Sequence, residues 1–193
     1  MTTVEYQVGA SDDDALLYSY SSSMMDTYAY EIWGEDSKNW IYSCFMRWTG
    51  VTIPAGATIT AAYISFYHYD QAGSPATCKI YFAKAANPAA VSSYSDYTGR
   101  AKTTAYVNIG TGSGTWWNSD SLVSIIQELV DAYDYSAGAA MLAFVVGANA
   151  GSGNNYYRAY GYDGDAAKAP KLHIEYTEAA GGGNPFYAYA QQQ

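Results

Sequence analysis

The sequence predicts an all-β fold, an antiparallel β-sandwich of the jelly-roll kind. Three observations predict it. About nine or ten short segments alternate apolar and polar residues with the period of a strand, bounded by Gly, Pro, Asn and Asp turn clusters. A single segment changes to the period of a helix. The composition is also that of a β protein, with 22 tyrosines and 18 glycines in 193 residues and charged residues at only 14 %. Because no internal repeat is visible, residues 1–177 read as one domain and residues 178–193 as an appended tail.

The elements follow in order. "TVEYQV" (3–8) puts Val4, Tyr6 and Val8 on alternate positions. "ALLYSYS" does the same with Leu16, Tyr18 and Tyr20, and "TYAYEIW" with Tyr28, Tyr30 and Ile32. "NWIYSCFMRW" (39–48) is a strong strand. "VTIPAGATI" then reads as a strand end, a turn at Pro54–Gly56 and a strand start. "ATITAAYISFYHYD" (57–70) is a long strand, and "ATCKIYFAKA" (76–85) follows after a loop. Residues 86–102 read as loop, "TTAYVNI" (103–109) as strand and "GTGSGT" as turn.

In "SLVSIIQELVDAY", Leu122, Ile125, Ile126, Leu129 and Val130 fall at i, i+3, i+4, i+7 and i+8, one face of a short amphipathic helix. Ser119, Asp120 or Ser121 is placed to cap it. "AAMLAFVVG" (139–147) is continuously apolar and reads as a strand buried on both faces or a central one. "NYYRAYGYD" (155–163) alternates again. In "APKLHIEYT" (169–177), Leu172, Ile174 and Tyr176 face inward, while Lys171, His173 and Glu175 face outward. In the tail, Gly181–Gly183 form a flexible spacer, and Phe186, Tyr187 and Tyr189 give it a strand-like end.

Net charge is −9 with only 9 basic residues, which argues against nucleic acid and against anionic membrane surfaces. No apolar run approaches the roughly 20 residues of a membrane helix. The start, "MTTVEYQVGASDDD", has no basic or apolar leader region. An extracellular or virion-surface location is expected, reached after removal of a signal or by release with a particle.

Three stretches carry a family resemblance: "FMRWTGVTIPAGATITAAYISF" (45–66), "DSLVSIIQELVD" (120–131) and "AYGYDGDAAKAPKLHIEY" (159–176). Together they resemble the DNRLRE-type jelly-roll domains of secreted bacterial, archaeal and phage surface proteins. The "IPAGATI" turn and the "APKL-I-Y" last strand are the most specific parts. The chain has Arg47-Trp48 where the family has Arg-x-Phe. The resemblance covers residues 3–177 and implies a jelly roll with an adhesive, carbohydrate-associated or structural role, not catalytic by itself. The tail has no counterpart in it.

Catalytic chemistry finds few carriers. His68 and His173 are the only histidines, no Gly-x-Ser-x-Gly elbow occurs, and "GTGSGT" lacks the lysine of a phosphate loop. The 18 acidic residues leave a glycosidase-like carboxylate pair open, as they would on any surface. No catalytic residue and no organic cofactor is expected. "SDDDA" and "YDGDA" are compact acidic loops. If they meet, Asp12, Asp13, Asp14, Asp163 and Asp165 form a ligand pool for a structural calcium ion; otherwise they are solvated turns. Cys44 and Cys78 both point to the core by parity, either as a disulfide or as two buried thiols.

Tyrosine is the largest signal. Opposite Ala62, Ile64 and Phe66, the residues Tyr63, Tyr67 and Tyr69 face outward. Tyr156, Tyr160 and Tyr162 share a face with Arg158. Phenols combine apolar area with a polar tip at small entropy cost, which suits an interface or the stacking of sugar rings. With Phe186, Tyr187 and Tyr189 in the tail, the expectation is a non-catalytic structural protein. It is a self-assembling subunit of an extracellular or virion-like filament, its tail docking on a neighbouring copy. The alternative is a carbohydrate-binding module that presents the tyrosines as a sugar platform.

Overall fold

The computed structural model describes residues 1–38, 40–73, 77–112, 114–149 and 154–179. The tail residues Phe186, Tyr187 and Tyr189 lie outside them.

The fold is all-β, and every strand pair is antiparallel. The described residues contain twelve strands. The first five are β1 (Thr2–Gln7), β2 (Asp14–Tyr18), β3 (Ser23–Met25), β4 (Tyr30–Glu35) and β5 (Ile41–Ile53). Next come β6 (Thr58–Ala72), β7 (Cys78–Phe82), a helix α1 (Tyr94–Gly99), β8 (Val107–Ile109) and β9 (Trp116–Asn118). Helix α2 (Val123–Ala132), β10 (Tyr135–Val146), β11 (Asn155–Tyr160) and β12 (Lys171–Thr177) complete the domain.

They form one curled sheet in the order β1-β12-β6-β11-β4-β5-β10-β7-β8, with β9 added to β6 and the β2–β3 pair added to β5. Strand β6 makes the curl. Its first half, Thr58–Ser65, pairs with β12, and its second half, from His68 to Ala72, pairs with β11. One 15-residue strand thus belongs to both halves of the sheet. The halves close over a shared core in a sandwich-like arrangement. Ile64, Phe66, Leu172 and Ile174 come from one side and Trp33, Met46, Trp48, Ile80 and Tyr157 from the other.

Alternation accounts for most of this. In β12, Leu172, Ile174 and Tyr176 are buried and the residues between them are not. In β5, Cys44, Met46 and Trp48 join the main core, while Phe45 faces a second cluster with Leu17, Tyr97, Leu142 and Phe144. Strand β10 is covered on both faces, as its unbroken apolar run requires. Gly34, in β4, has φ +116°, and a side chain there would overlap the backbone of β11 at Asn155. Only glycine lets these two strands approach so closely.

Helix α2 lies against β6 and buries Ile125, Ile126, Leu129 and Val130. The capping differs from expectation. Leu122 occupies the N-cap and its side chain makes no capping bond, while the Ser121 hydroxyl accepts from Val123 N at 3.5 Å. Ser119 is drawn instead to β6, where its hydroxyl accepts from Ile64 N at 3.0 Å. Gln127 anchors the helix by accepting from Ile59 N at 2.8 Å and donating to Ala57 O at 3.2 Å.

The segment 86–102 is not all loop, since it contains α1. Ser93 caps that helix by accepting from Asp96 N at 3.1 Å, and Arg100 pairs with Asp96 one turn later. The helix lays Tyr97 on the second cluster. The run 103–109 forms a strand only from Val107, and the short strand β9 follows the glycine turn.

Candidate interaction surface

The outer face of β4, β6 and β11 carries the densest group of tyrosines. In β11 the buried Tyr157 and Ala159 alternate with half-buried Tyr156, Arg158 and Tyr160. In β6, burial of Ala62, Ile64 and Phe66 turns Tyr63 and Tyr67 outward. A register shift follows. Ala159 pairs with His68 but Arg158 pairs with Asp70, so Tyr69 is the extra residue of a bulge. Bulges re-aim side chains. Here the bulge sets Tyr69 and Asp70 together beside β11: Tyr69 packs on Tyr160, and Asp70 pairs with Arg158.

The rings then touch in series. Tyr28 meets Tyr30 at 5.9 Å between centroids. Tyr30 stacks on Tyr69 at 4.0 Å, and Tyr69 meets Tyr160 edge-on at 5.3 Å. Tyr160 meets Tyr67 at 5.6 Å, and Tyr67 meets Trp116 of β9 at 5.2 Å. Edge-on and offset-stacked pairs are the geometries aromatic rings favour. A hydrogen bond with Tyr69 holds the Tyr30 phenol protonated and pushes its pKa up to about 12. Tyr69 and Trp116 remain 40 % and 38 % exposed.

Cations lie over these rings. The Arg158 guanidinium is 5.1 Å from the Tyr69 and Tyr156 centroids. Lys168 Nζ is 4.6 Å from Tyr160, and Lys171 Nζ is 5.1 Å from Trp116. Each cation has its own carboxylate, in the pairs Arg158–Asp70, Lys168–Asp165 and Lys171–Glu5. The face is therefore aromatic and locally balanced in charge, on a chain of net charge −9.

A second ring group lies on β2 and β5 and in the turns beside them. Tyr20 stacks on Trp40 at 4.4 Å, and Tyr18 stacks on Tyr42 at 5.1 Å, with Lys38 over Trp40. Between the two groups is a shallow hollow of about 230 Å³, lined by Tyr28, Tyr42 and Tyr156 with Asp36, Ser37, Asn154 and Arg158.

Of the residues expected at an interface, Tyr67, Tyr69 and Tyr160 come together in one array, and Tyr156 joins it through Arg158. Tyr63 stands apart, stacked on His173 at 4.4 Å, which leaves that histidine half-buried rather than open to solvent. Tyr162 lies past the end of β11 and packs on the main core. Tyr28, Tyr30 and Trp116 were not expected in the array, nor was the second group. Their neighbours come from other strands, and the local alternation does not carry that information.

The two acidic loops do meet. The Ser11 hydroxyl donates to Asp163 at 2.7 Å, and Tyr162 N donates to Asp14 at 2.7 Å. The pool is divided, however. Asp12 is exposed, Asp13 pairs with Arg47 at 2.5 Å, and Asp165 caps a 3-10 turn and pairs with Lys168. Among the described residues no group of three or more His, Cys, Asp and Glu side chains is arranged to hold a metal.

Asp14 lies instead against a carboxylate the sequence did not single out, Glu31 of β4, and both are 1 % exposed. Burial pushes Asp14 up to about 7 and Glu31 well above the usual carboxylate range. Cys44 and Cys78 are the buried thiols of the second alternative, with burial pushing both upward. His68 Nδ1 is 2.9 Å from the buried Tyr157 hydroxyl, which gives it a structural partner. Comparison with known proteins finds no matching family model and no matching curated relative.

Proposed function

We propose that the chain is a non-catalytic structural subunit that self-associates through its tyrosine face to build an extracellular or virion-like filament. The observation that carries this reading is the array Tyr28–Tyr30–Tyr69–Tyr160–Tyr67–Trp116. Copies of a chain with net charge −9 repel one another, and contact is least costly where charge is locally balanced. This face pairs each of its cations with a carboxylate and offers aromatic area with polar tips, the composition of interface centres. Strand β1 adds a second contact. Among the described residues it pairs with β12 alone and ends the sheet path, an edge to which a strand from another copy can add. The alternating tail sequence around Phe186, Tyr187 and Tyr189 has the chemistry to fill that edge. Truncation after Thr177 tests the reading. The truncated chain is expected to fold with an unchanged melting temperature but to form no filaments by negative-stain electron microscopy. Filaments of the same length and number would remove the tail from the assembly.

A carbohydrate-binding role is the second reading, favoured by the hollow between the two ring groups. There, planar rings at Tyr28, Tyr42 and Tyr156 stand beside Asp36, Asn154 and Arg158, the mixture that holds a sugar by stacking and hydrogen bonds. Pull-down on insoluble polysaccharides, comparing the full chain with Tyr42→Ala, checks it.

A further inference from the structure

We propose that Asp14 and Glu31 share a proton and form a pH-sensitive clamp, which holds the start of β2 and the start of β4 to the turn after β11. Both side chains are buried, and they hydrogen-bond to each other. Ionised carboxylates only accept, so this bond exists only while one of the two keeps its proton. Asp14 Oδ2 and Glu31 Oε1 are the oxygens that face the turn. A methyl group built on Gly161 would lie 3.2 Å from the first and 3.3 Å from the second, tighter than ordinary contact, so the turn packs directly on the pair. Tyr162 N donates to the same Asp14 oxygen at 2.7 Å.

The second observation is what surrounds the pair. Asp14 Oδ1 and Glu31 Oε2 are buried and have no hydrogen-bond partner. An unpartnered buried oxygen costs more on a charged group than on a neutral one, which favours the protonated acid. Among the described residues no lysine, arginine or histidine forms an ion pair with either carboxyl. The turn after β11 brings the Asp163 carboxylate, and the segment before β2 brings that of Asp13, which is paired with Arg47 of β5. Strand β5 also sets the Cys44 thiol against Glu31, and burial pushes that thiol's pKa up. The segment before β4 contributes the Tyr28 carbonyl, an acceptor. On β4 itself the next acid of the same face, Glu35, lies beyond Trp33. Apart from Tyr162 N, these neighbours favour a proton on the pair.

Two like acids in one buried site cannot both ionise cheaply, and they titrate as a unit. Burial raises Asp14 from 3.8 to about 7 and raises Glu31 as well. The folded chain therefore keeps protons that the unfolded chain releases. The stability this contributes is full below the unfolded value near 3.8 and is lost as pH rises through about 7. The loss is at most about tenfold in the folding constant per pH unit for each proton held. Once both acids ionise, two charges oppose each other in the interior, and β2, β4 and the turn are pushed apart. The pair lies on the inner side of β4, so the clamp is separate from the tyrosine array.

The test is urea unfolding of the full chain at a series of pH values between about 5 and 8, alongside Glu31→Gln. Glutamine keeps a donor for Asp14 and has no proton to lose. The unmodified chain is expected to lose stability steadily as pH rises. Glu31→Gln is expected to flatten that slope and to be at least as stable at the alkaline end. His68 and His173 are present in both proteins, so the difference between the two slopes reports the pair. Infrared spectra of the unmodified chain are expected to show a protonated carboxyl stretch at neutral pH that disappears on the alkaline side. If the variant fails to fold, that band decides. Equal slopes in the two proteins overturn the proposal, and so does the absence of a protonated carboxyl at neutral pH. Loss of assembly with the pH slope intact bears on the proposed function and not on this clamp.

Discussion

Asp96 shows how much one carboxylate decides locally. Its side chain receives Ser92 N at 3.0 Å and the Arg100 guanidinium at 2.6 Å, while its own N–H is capped by Ser93. The bond from Arg100 is the main cause of an acid pKa lowered to about 2. A lowered folded-state pKa stabilises the fold above the unfolded value near 3.8 and loses that contribution as pH falls towards 2. Asp96→Asn should therefore lower the melting temperature at neutral pH. The difference should vanish in acid below about pH 2, and scanning calorimetry across that range checks it. A gap that stays constant with pH would mean the loss is not electrostatic. The same scale shows what alternation conceals. Glu31 follows Tyr30 and precedes Ile32, so its parity reads as solvent-facing. It is buried because it shares the inner face of β4 with Trp33, opposite the buried Ala159 of β11, so the parity suggested by Tyr28, Tyr30 and Ile32 is reversed by a pairing with a strand distant in sequence.

Helix α2 and strands β6 and β12 were legible because their patterns are local. Five apolar residues from Leu122 to Val130 mark one helical face, and Ala62, Ile64 and Phe66 mark one sheet face. Leu129, at 1 % exposure, sits in the main core. Leu129→Ala should cost about 2–5 kcal/mol as a core truncation, read as a lower denaturant midpoint with an unchanged slope. An unchanged midpoint would mean the helix does not close the core. Helix α1 is six residues long and buries only Tyr97, too little for a periodic signal. Its Ser93-x-x-Asp96 spacing is a capping signature that was there to be found. The bulge at Tyr69 and Asp70 was not there to be found. It is set by the register of β11 against β6, and no residue in either strand announces it. For the same reason Tyr67, Tyr69 and Tyr160 could be placed outward by parity, while their contacts with Tyr30 and Trp116 could not.

At the scale of the whole molecule, one chemistry recurs. The chain spends few charges, carries 22 tyrosines and net charge −9, and gathers rings and balanced ion pairs on the outer face of β4, β6 and β11. The inner face of the same strands is closed by Trp33, Phe66 and Tyr157, so the outer array is not needed to build the core. That separation makes the array testable without unfolding the protein. Tyr69 is the most informative position, because it touches Tyr30, Tyr160 and Arg158 and is still 40 % exposed. Truncating an aromatic at the centre of an interface often costs about 2 kcal/mol or more, roughly thirtyfold in the association constant. The most direct measurement is sedimentation equilibrium of the full chain and of Tyr69→Ala over a range of concentrations, with melting curves as the control for folding. The tyrosine-face account predicts reversible self-association of the full chain, weakened at least tenfold in Tyr69→Ala at an almost unchanged melting temperature. Self-association of equal strength in both proteins, or a full chain that stays monomeric at every concentration, would contradict it.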